Sequence, residues 1–489
     1  MQSVIEMLGS RALSHPERTA IVAGDLHVSY GELWQRVRSV AQEFVRLGVG
    51  RGDRVLLAAP SAPAFAFAYF ATHLIGAVAV PLDPHAPKAR RDDLIERVRP
   101  KLVLGEQDEA LAGPILFRAI SELEGYLSNE AEFAPPEAQS LSDLLFTTGT
   151  TGRPKGVCLT HGNLVAAASH INSVIRIGES DVEVLPLPLY HSFGLGRLRC
   201  NLIAGASIVL VDGFRLPGEI FAAIERHRAT GLVGVPAGFA VLLRFGARGL
   251  GAFANQLRYI EIGSAPMPIE HKRALMELLP TTELWMHYGL TEASRSVFIE
   301  FHRHHEHLDT VGLRAPGVQL AIRGEDGSDQ RGEAGQLWIR GDHVSPGYWD
   351  DPASTASNFV AGWVRTGDVA RLGDSGFLVL HGRNDDMINV GGFKVSPDEI
   401  ERVLSQHPAV HEAMCIGVPD PRKIAGQVVR AYLVSTSTRA SDEELSDWVA
   451  AHLERYKVPV EYRWTESLPR TSSGKPLRAT LRNEAACEE

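Results

Sequence analysis

An α/β architecture in two lobes, the larger carrying a β-rich subdomain and the smaller of α+β type, is what the sequence predicts. Three observations lead there. Strand-like and helix-like segments alternate from Gly48 to about residue 300, as in a fold with a mainly parallel sheet. Short strand runs with frequent glycine, such as GQLWIRGD and GFLVLHGR, replace them between about 311 and 382. A new set of helix starts and strand runs then begins after Arg383. At 489 residues the chain is also too long for one hydrophobic core, so two or three domains are expected.

Ser29-Tyr-Gly-Glu32 reads as a capping box opening a helix, with Leu33, Val37, Val40, Phe44 and Leu47 at helical spacing and Gly48 as its stop. The stretch between Arg54 and Asp83 holds no Asp, Glu, Lys or Arg and is long enough to span a bilayer. Pro60, Pro63 and Pro81 divide it into VLLAAP, APAFAFAYFATHLIGA and VAVPLD, which read as strand, buried helix and strand of a parallel sheet. Stable membrane insertion is therefore not expected. The polar stretch Ala134–Ser140 leads into the apolar run Leu144-Leu145-Phe146 and then FTTGTTGRPKG, residues 146–156. With His161 onward reading as a helix start, this predicts strand, glycine-rich loop and helix, an arrangement suited to phosphate. It is not a Walker A loop: Pro154 stands where the second glycine belongs, and Gly156 where Ser or Thr belongs.

Beyond Arg383, Ser396-Pro-Asp-Glu399 and Ser441-Asp-Glu-Glu444 read as two further capping boxes, among the strand runs AMCIGV, VVRAYLV and EYRWTE. The expected division is 1–383 for the large domain and 384–489 for the small one, with the joint near Asp385.

Composition narrows function. A net charge of −10 without a dense Lys/Arg run argues against nucleic-acid binding. Cys158, Cys200, Cys415 and Cys487 are scattered with no CxxC pair, which points to a reducing, cytoplasmic setting without disulfides or structural zinc. The N-terminus MQSVIEMLGS lacks a basic region followed by an apolar core, so no signal peptide is expected. Phe301–Leu308 carries four histidines in six positions, but with no cysteine or second ligand cluster it reads as a solvated loop.

The loop at 146–156 closely resembles the phosphate-binding signature of the adenylate-forming superfamily: acyl-CoA synthetases, firefly-type luciferases and nonribosomal adenylation domains. Seven further motifs follow in the family's order: LPLYHSFG (187–194), GSAPMP (263–268), YGLTE (288–292), GQLWIRGDHVSPGYW (335–349), TGD (366–368), GRNDDMINVGGFKVSPDEIE (382–401) and PRTSSGKPLR (469–478). The resemblance covers essentially the whole chain, in the style of acyl- or aryl-CoA ligases.

The resemblance implies ATP and Mg²⁺ as cofactors. Thr147, Thr148, Gly149, Thr150, Thr151, Gly152 and Lys155 would cradle the β- and γ-phosphates, and Glu292 would help hold Mg²⁺. Tyr288 would flank the adenine and Thr291 would contact the α-phosphate. Asp368 and Arg383 would hold the ribose. Lys475 would stabilise the α-phosphate oxygens while the carboxylate attacks. Asp385 matches the hinge about which the small, mobile lobe would turn, presenting Gly391 and Gly392 to a pantetheine thiol. His191 would gate an acyl pocket that includes Phe193, Val235, Phe239, Ser264 and Ala265, with Leu195 close by. α-Amino-acid enzymes of this superfamily usually carry Asp at the His191 position and 2-hydroxyaryl ones Asn, so a fatty or aryl acid without an α-ammonium is expected. The acceptor would be the thiol of CoA or, alternatively, the phosphopantetheine of an acyl carrier protein. A luciferase-like oxygenase shares the motifs, but nothing in the chain calls for it.

Overall fold

The computed structural model describes residues 3–86, 88–106, 115–125, 132–147, 155–324, 327–330, 332–383, 386–390, 393–420, 427–453, 455–471 and 476–487. The chain is α/β and forms two compact units, Met1–Leu320 with Ile339–Val364, and Ala321–Trp338 with Arg365–Glu489. Residues 365–383 thus group by packing with the C-terminal part of the chain.

The first unit is built on two sheets. In the first, the strands run in the order Leu313–Arg314, Ala293–Glu300, Glu283–Leu290, Tyr259–Ile262, Gly231–Gly234, Val182–Leu185, Ser207–Leu210, Thr19–Ala23 and Leu26–Ser29. Its inner strands are parallel, and antiparallel hairpins finish both edges. In the second, the order is Gly347–Tyr348, Lys155–Thr160, Leu141–Thr147, Val78–Pro81, Arg54–Leu57, Leu102–Gly105 and Leu116–Ala119. Two sheets therefore share the alternating segments that the sequence reads as one mainly parallel sheet.

The charge-free stretch folds as its prolines dictate. Arg54–Leu57 pairs in parallel with Val78–Pro81, and the connecting helix Pro63–Leu74 is buried at every position. A helix covered on all faces needs no polar side, and its sequence is apolar except at Tyr69, Thr72 and His73, whose polar atoms meet Asp143 or the Ala68 carbonyl. No described helix is long and apolar enough to cross a membrane.

The loop after Phe146 does not lead straight into a helix. Lys155–Thr160 first pairs antiparallel with Leu141–Thr147, and the helix His161–Ile175 begins only at the Thr160 cap. The apolar, β-branched character of GVCLT extends the sheet by one strand before the turn into the helix.

Of the three expected capping boxes, the one at Ser29 forms in full and the one at Ser441 only in its first half. Ser29 Oγ accepts from Glu32 N at 3.2 Å while Ser29 N donates to Glu32 Oε2 at 2.8 Å. Ser441 Oγ accepts from Glu444 N at 3.2 Å. At Ser396 the box is not made: its hydroxyl donates to the His381 carbonyl, and Glu399 accepts from Lys457 Nζ at 2.9 Å. Pro397 at the first helical position already sets the backbone, and the nearby carbonyl offers that hydroxyl a better partner.

In the second unit, Val410–Pro419, Gln427–Ser435 and Glu461–Trp464 form a three-stranded sheet. Helices Pro397–Leu404 and Asp442–Ala450 cover it around Ile400, Leu404, Val429, Leu433, Leu445 and Val449. The short strands Trp363–Leu372 and Leu378–Arg383 pair antiparallel.

Candidate active site

The hairpin bearing the threonine-rich loop anchors the site in the first unit. Thr147 and Lys155 are cross-strand partners, as are Phe146 and Gly156. Thr148, Gly149, Thr150, Thr151 and Gly152 lie outside the described residues. A methyl group on Gly156 would sit 2.8 Å from the Phe146 ring and 3.2 Å from Trp349 Cβ, so glycine lets the edge strand Gly347–Tyr348 and its neighbour close on the hairpin.

That edge strand supplies a residue to which the sequence alone assigns no role. Lys155 Nζ lies 4.9 Å from the centroid of the Tyr348 ring, and Tyr348 Oη donates to Glu292 Oε1 at 2.9 Å. A continuous chain of contacts thus joins the cation at the phosphate loop to the expected Mg²⁺ ligand. Tyr348 sits in the PGYW stretch, but only strand pairing brings it to Lys155.

Thr291 and Glu292 form the two-residue turn between Leu290 and Ala293, whose backbones pair. Gly289 makes this hairpin possible: a Cβ there would lie 2.3 Å from Arg295 N and 2.9 Å from Ala293 O, both immovable backbone. The Glu292 carbonyl accepts from Ser345 N at 2.8 Å. Tyr288, half-buried, lies on the same strand opposite Val297. No three His, Cys, Asp or Glu side chains converge among the described residues. The Glu292 carboxylate, oriented by Tyr348, is of the kind that suits a hard cation. In the histidine-rich segment, His302 Nε2 faces the Leu279 carbonyl at 3.1 Å and His305 Nδ1 faces the His302 carbonyl at 3.3 Å.

The expected acyl-pocket residues come from three segments. Exposed His191 is the N-cap of helix Ser192–Ala204, and its ring lies 4.9 Å from Tyr190. Phe193 and Leu195 follow, both buried. Val235 caps helix Pro236–Gly251, while Phe239 is fully buried against Phe214 in the hydrophobic core. Ser264 takes a left-handed backbone (φ 76°) after Gly263, with Ala265 half-buried beside it. Gly263 is required here because the His287 ring lies where its Cβ would project.

Beneath these segments runs an ionic network. Arg197 donates from Nε to Glu183 Oε1 at 3.0 Å and forms an ion pair from Nη1 to Glu261 Oε2 at 2.6 Å, close but not aligned as a hydrogen bond. Arg295 donates from Nε to Glu261 Oε1 at 2.8 Å and from Nη2 to the Phe193 carbonyl at 3.1 Å. Tyr259 Oη and Asn201 Nδ2 donate to Glu183 at 2.5 and 2.9 Å. His287 Nδ1 lies 2.7 Å from Glu261 Oε1, and its ring meets Phe193 edge-on at 4.8 Å. Burial raises the Glu261 pKa, but Arg197 and Arg295 outweigh it and hold the carboxyl below its usual range. Burial lowers the His287 pKa against the pull of Glu261, favouring the neutral ring.

From the same helix, Arg199 Nη1 donates to Asp143 Oδ2 at 2.9 Å, and Asp143 Oδ1 lies 2.7 Å from His73 Nε2. Arg197 thus ties the helix behind His191 to the first sheet, and Arg199 ties it to the second. The signals in the sequence were charges inside apolar runs, such as VEVL and YIEI. Their pairing, however, joins residues up to 64 positions apart and is not legible locally.

In the second unit, Asp368 and Arg383 are direct register partners in an antiparallel pair, so the two residues expected at the ribose share one ladder position. The Asp368 amide donates to Thr366 Oγ1 at 3.0 Å. The Arg383 side chain, Asp385, Gly391, Gly392 and Lys475 lie outside the described residues.

A threonine-rich hairpin and a turn carboxylate on a two-sheet α/β unit suit the phosphates of a nucleotide and their cation. Residues 9–349 match the AMP-binding enzyme family and residues 399–475 match the AMP-binding enzyme C-terminal domain. The chain is 32% identical over 482 residues to a feruloyl-CoA synthase of Amycolatopsis sp, covering 96% of this chain and 97% of the relative. It is 28% identical over 511 residues to the long-chain-fatty-acid–CoA ligase FadD13 of Mycobacterium tuberculosis, covering 99% of each. Its fold matches the o-succinylbenzoate CoA synthetase of Bacillus subtilis in complex with its acyl-adenylate, with a TM-score of 0.89, 29% identity and 97% of each chain covered. It also matches ATP-bound MatB from Rhodopseudomonas palustris, with a TM-score of 0.92, 27% identity and 99% of each chain covered. The chain belongs to the AMP-binding, adenylate-forming enzyme family. It is an AMP-forming ligase that joins a carboxylic acid to CoA by way of acyl-AMP.

Proposed function

We propose that the acid is fatty or aryl, without an α-ammonium, and that the reaction runs on the residues placed above. The observation carrying this reading is the balance of the ionic network under Phe193: Arg197 engages both Glu183 and Glu261, and Arg295 engages Glu261 as well. Neither carboxylate is left to neutralise a substrate ammonium, and position 191 is histidine. The names of the relatives point the same way, since ferulate, long-chain fatty acids and succinylbenzoate all lack that group.

In this reading the loop from Thr147 to Lys155 holds the β- and γ-phosphates, Tyr288 flanks the adenine, and Asp368 with Arg383 holds the ribose. Mg²⁺, held by Glu292 when bound, would neutralise phosphate charge. A substrate carboxylate oxygen attacks the α-phosphorus near Thr291, the bond to the bridging oxygen breaks, and pyrophosphate leaves with the electron pair. Lys475 stabilises the crowded oxygens. The thiol sulfur of CoA then attacks the acyl carbon past Gly391 and Gly392, and AMP departs. Free Cys158, Cys200 and Cys415 support a reducing, cytoplasmic setting.

Acid-dependent ATP–pyrophosphate exchange across ferulate, benzoate, octanoate, palmitate and the proteinogenic amino acids tests the acid class. The amino acids should be poor substrates, because burying an unpaired ammonium costs several kcal/mol. Efficient turnover of any one of them would overturn this assignment. Product formation with CoA alone, against a carrier protein bearing phosphopantetheine, identifies the acceptor; a strict need for the carrier would favour the alternative.

Asp385→Pro tests the hinge. Proline fixes φ near −65° and removes the amide donor, so a residue that changes dihedrals between two states would be held in one. Adenylation should stay within roughly tenfold, about 1.4 kcal/mol of barrier, while overall thioester synthesis falls much further. Equal losses in both half-reactions would remove Asp385 from that role.

A further inference from the structure

Both ends of the segment carrying Lys475 are pinned within the second unit. On the upstream side, Arg470 Nη2 contacts Glu412 Oε2 at 3.4 Å. The neck is closed by the Arg470–Pro476 bridge and by Leu477 N donating to the Pro469 carbonyl at 2.9 Å. On the downstream side, Arg478 opens helix Arg478–Cys487 with its side chain only 7% exposed, and it is surrounded by three carboxylates. Its Nη1 donates to Asp386 Oδ2 at 3.2 Å, its Nη2 to Glu401 Oε2 at 2.7 Å and to Asp398 Oδ1, and its Nε to Glu401 Oε1 at 3.2 Å. Arg482, one turn on, grips the other oxygen of Asp386.

Asp386 follows the hinge position Asp385 directly, one Cα step of ~3.8 Å, and only Pro476 and Leu477 separate Arg478 from Lys475, three Cα steps that reach at most ~10 Å. One buried guanidinium therefore links the neighbourhoods of the pivot and the lysine. Three carboxylates thus face two guanidiniums. The cost shows at Glu401: burial, outweighing the attraction of Arg478 and aided by Asp398, pushes its carboxyl up to about 7.

We propose that Arg478 is a positioning residue for adenylation, holding the Lys475 segment at a set distance from the hinge through Asp386. The inference rests on the roles proposed for Lys475 and Asp385. Once the lysine has withdrawn, the thiol step no longer depends on where it points. A lysine misplaced by about 1 Å at an in-line displacement loses on the order of 10²-fold in rate.

The test uses the full-length enzyme with the best acid of the panel above and measures three quantities: ATP–pyrophosphate exchange, thioester formation from preformed acyl-AMP, and Tm. Asp386→Asn is the principal variant, because it leaves Arg478 with two carboxylates and so protects folding; Arg478→Lys accompanies it. Adenylation kcat should fall roughly 10–100-fold, with KM for acid and ATP within about threefold and the thiol half-reaction within about threefold. Parallel loss of both half-reactions, or loss of neither, overturns the proposal. Lys475→Ala run alongside separates the failures. If it blocks adenylation while both clamp variants adenylate normally, only the clamp is wrong; if it adenylates normally, the lysine assignment and the clamp fall together.

Discussion

Lys475→Ala should lose acyl-adenylate formation by about 10²–10³-fold, the range seen when one preorganised donor to a developing oxyanion is removed. As carboxylate oxygen approaches the α-phosphorus, negative charge accumulates on oxygens already crowded by the β- and γ-phosphates. A cation delivered at that moment stabilises the transition state more than the bound nucleotide. ATP affinity should accordingly change by less than about 1 kcal/mol, roughly fivefold in Kd. Thioester formation from supplied acyl-AMP should continue near the wild-type rate, since its bond changes take place at the acyl carbon. Pyrophosphate exchange and single-turnover thioester formation measure the two steps. A variant that exchanges pyrophosphate at near wild-type rate would show that another residue supplies this charge.

Arg197→Met should destabilise the first unit by about 3–5 kcal/mol, the range for breaking a buried ion pair by removing one partner. Methionine approximates the length of the stem but leaves Glu183 and Glu261 fully buried, Glu261 with Arg295 and Glu183 with only the neutral donors Tyr259 and Asn201. Because Arg197 joins the strand carrying Glu183, the strand carrying Glu261 and the helix behind His191, the loss should fall on acid binding as well as on Tm. Adding Glu183→Gln to Arg197→Met should recover part of the lost stability by removing the stranded charge, and a loss below about 1 kcal/mol in the single variant would contradict the network's role.

The same groups set the acid response. His287 is held neutral in the fold below its ordinary 6.5, and burial likewise lowers His161 and His170 to about 3 and His343 to about 4. The unfolded chain therefore binds more protons than the fold once pH drops below about 6.5, and stability falls with it. Glu261, held below its ordinary 4.5, adds a further loss as pH falls beneath that value. Urea midpoints between pH 8 and pH 4 should decline, and a flat profile would contradict neutral buried imidazoles.

By itself the sequence determined what depends on neighbours along the chain. The prolines at 60, 63 and 81 divide a membrane-length apolar stretch into strand, helix and strand, because each sets backbone that cannot continue the preceding element. Ser29 and Glu32 specify their cap because both partners lie within one turn. The ordered motifs identified the family and nominated the residues of the site. Tertiary structure alone decided which distant residues meet. The helix begins at His161 as the sequence reads it, but the strand Lys155–Thr160 before it was not foreseen, because it is made by pairing with Leu141–Thr147 in a sheet whose other strands lie far away in sequence. Pairing of its other edge with Gly347–Tyr348 carries Lys155 to Tyr348, and Tyr348 reaches Glu292. The Arg197 network and the Arg478 clamp are likewise invisible locally. A buried charge is tolerated only where a partner waits, and a partner up to 92 positions away is supplied by the fold.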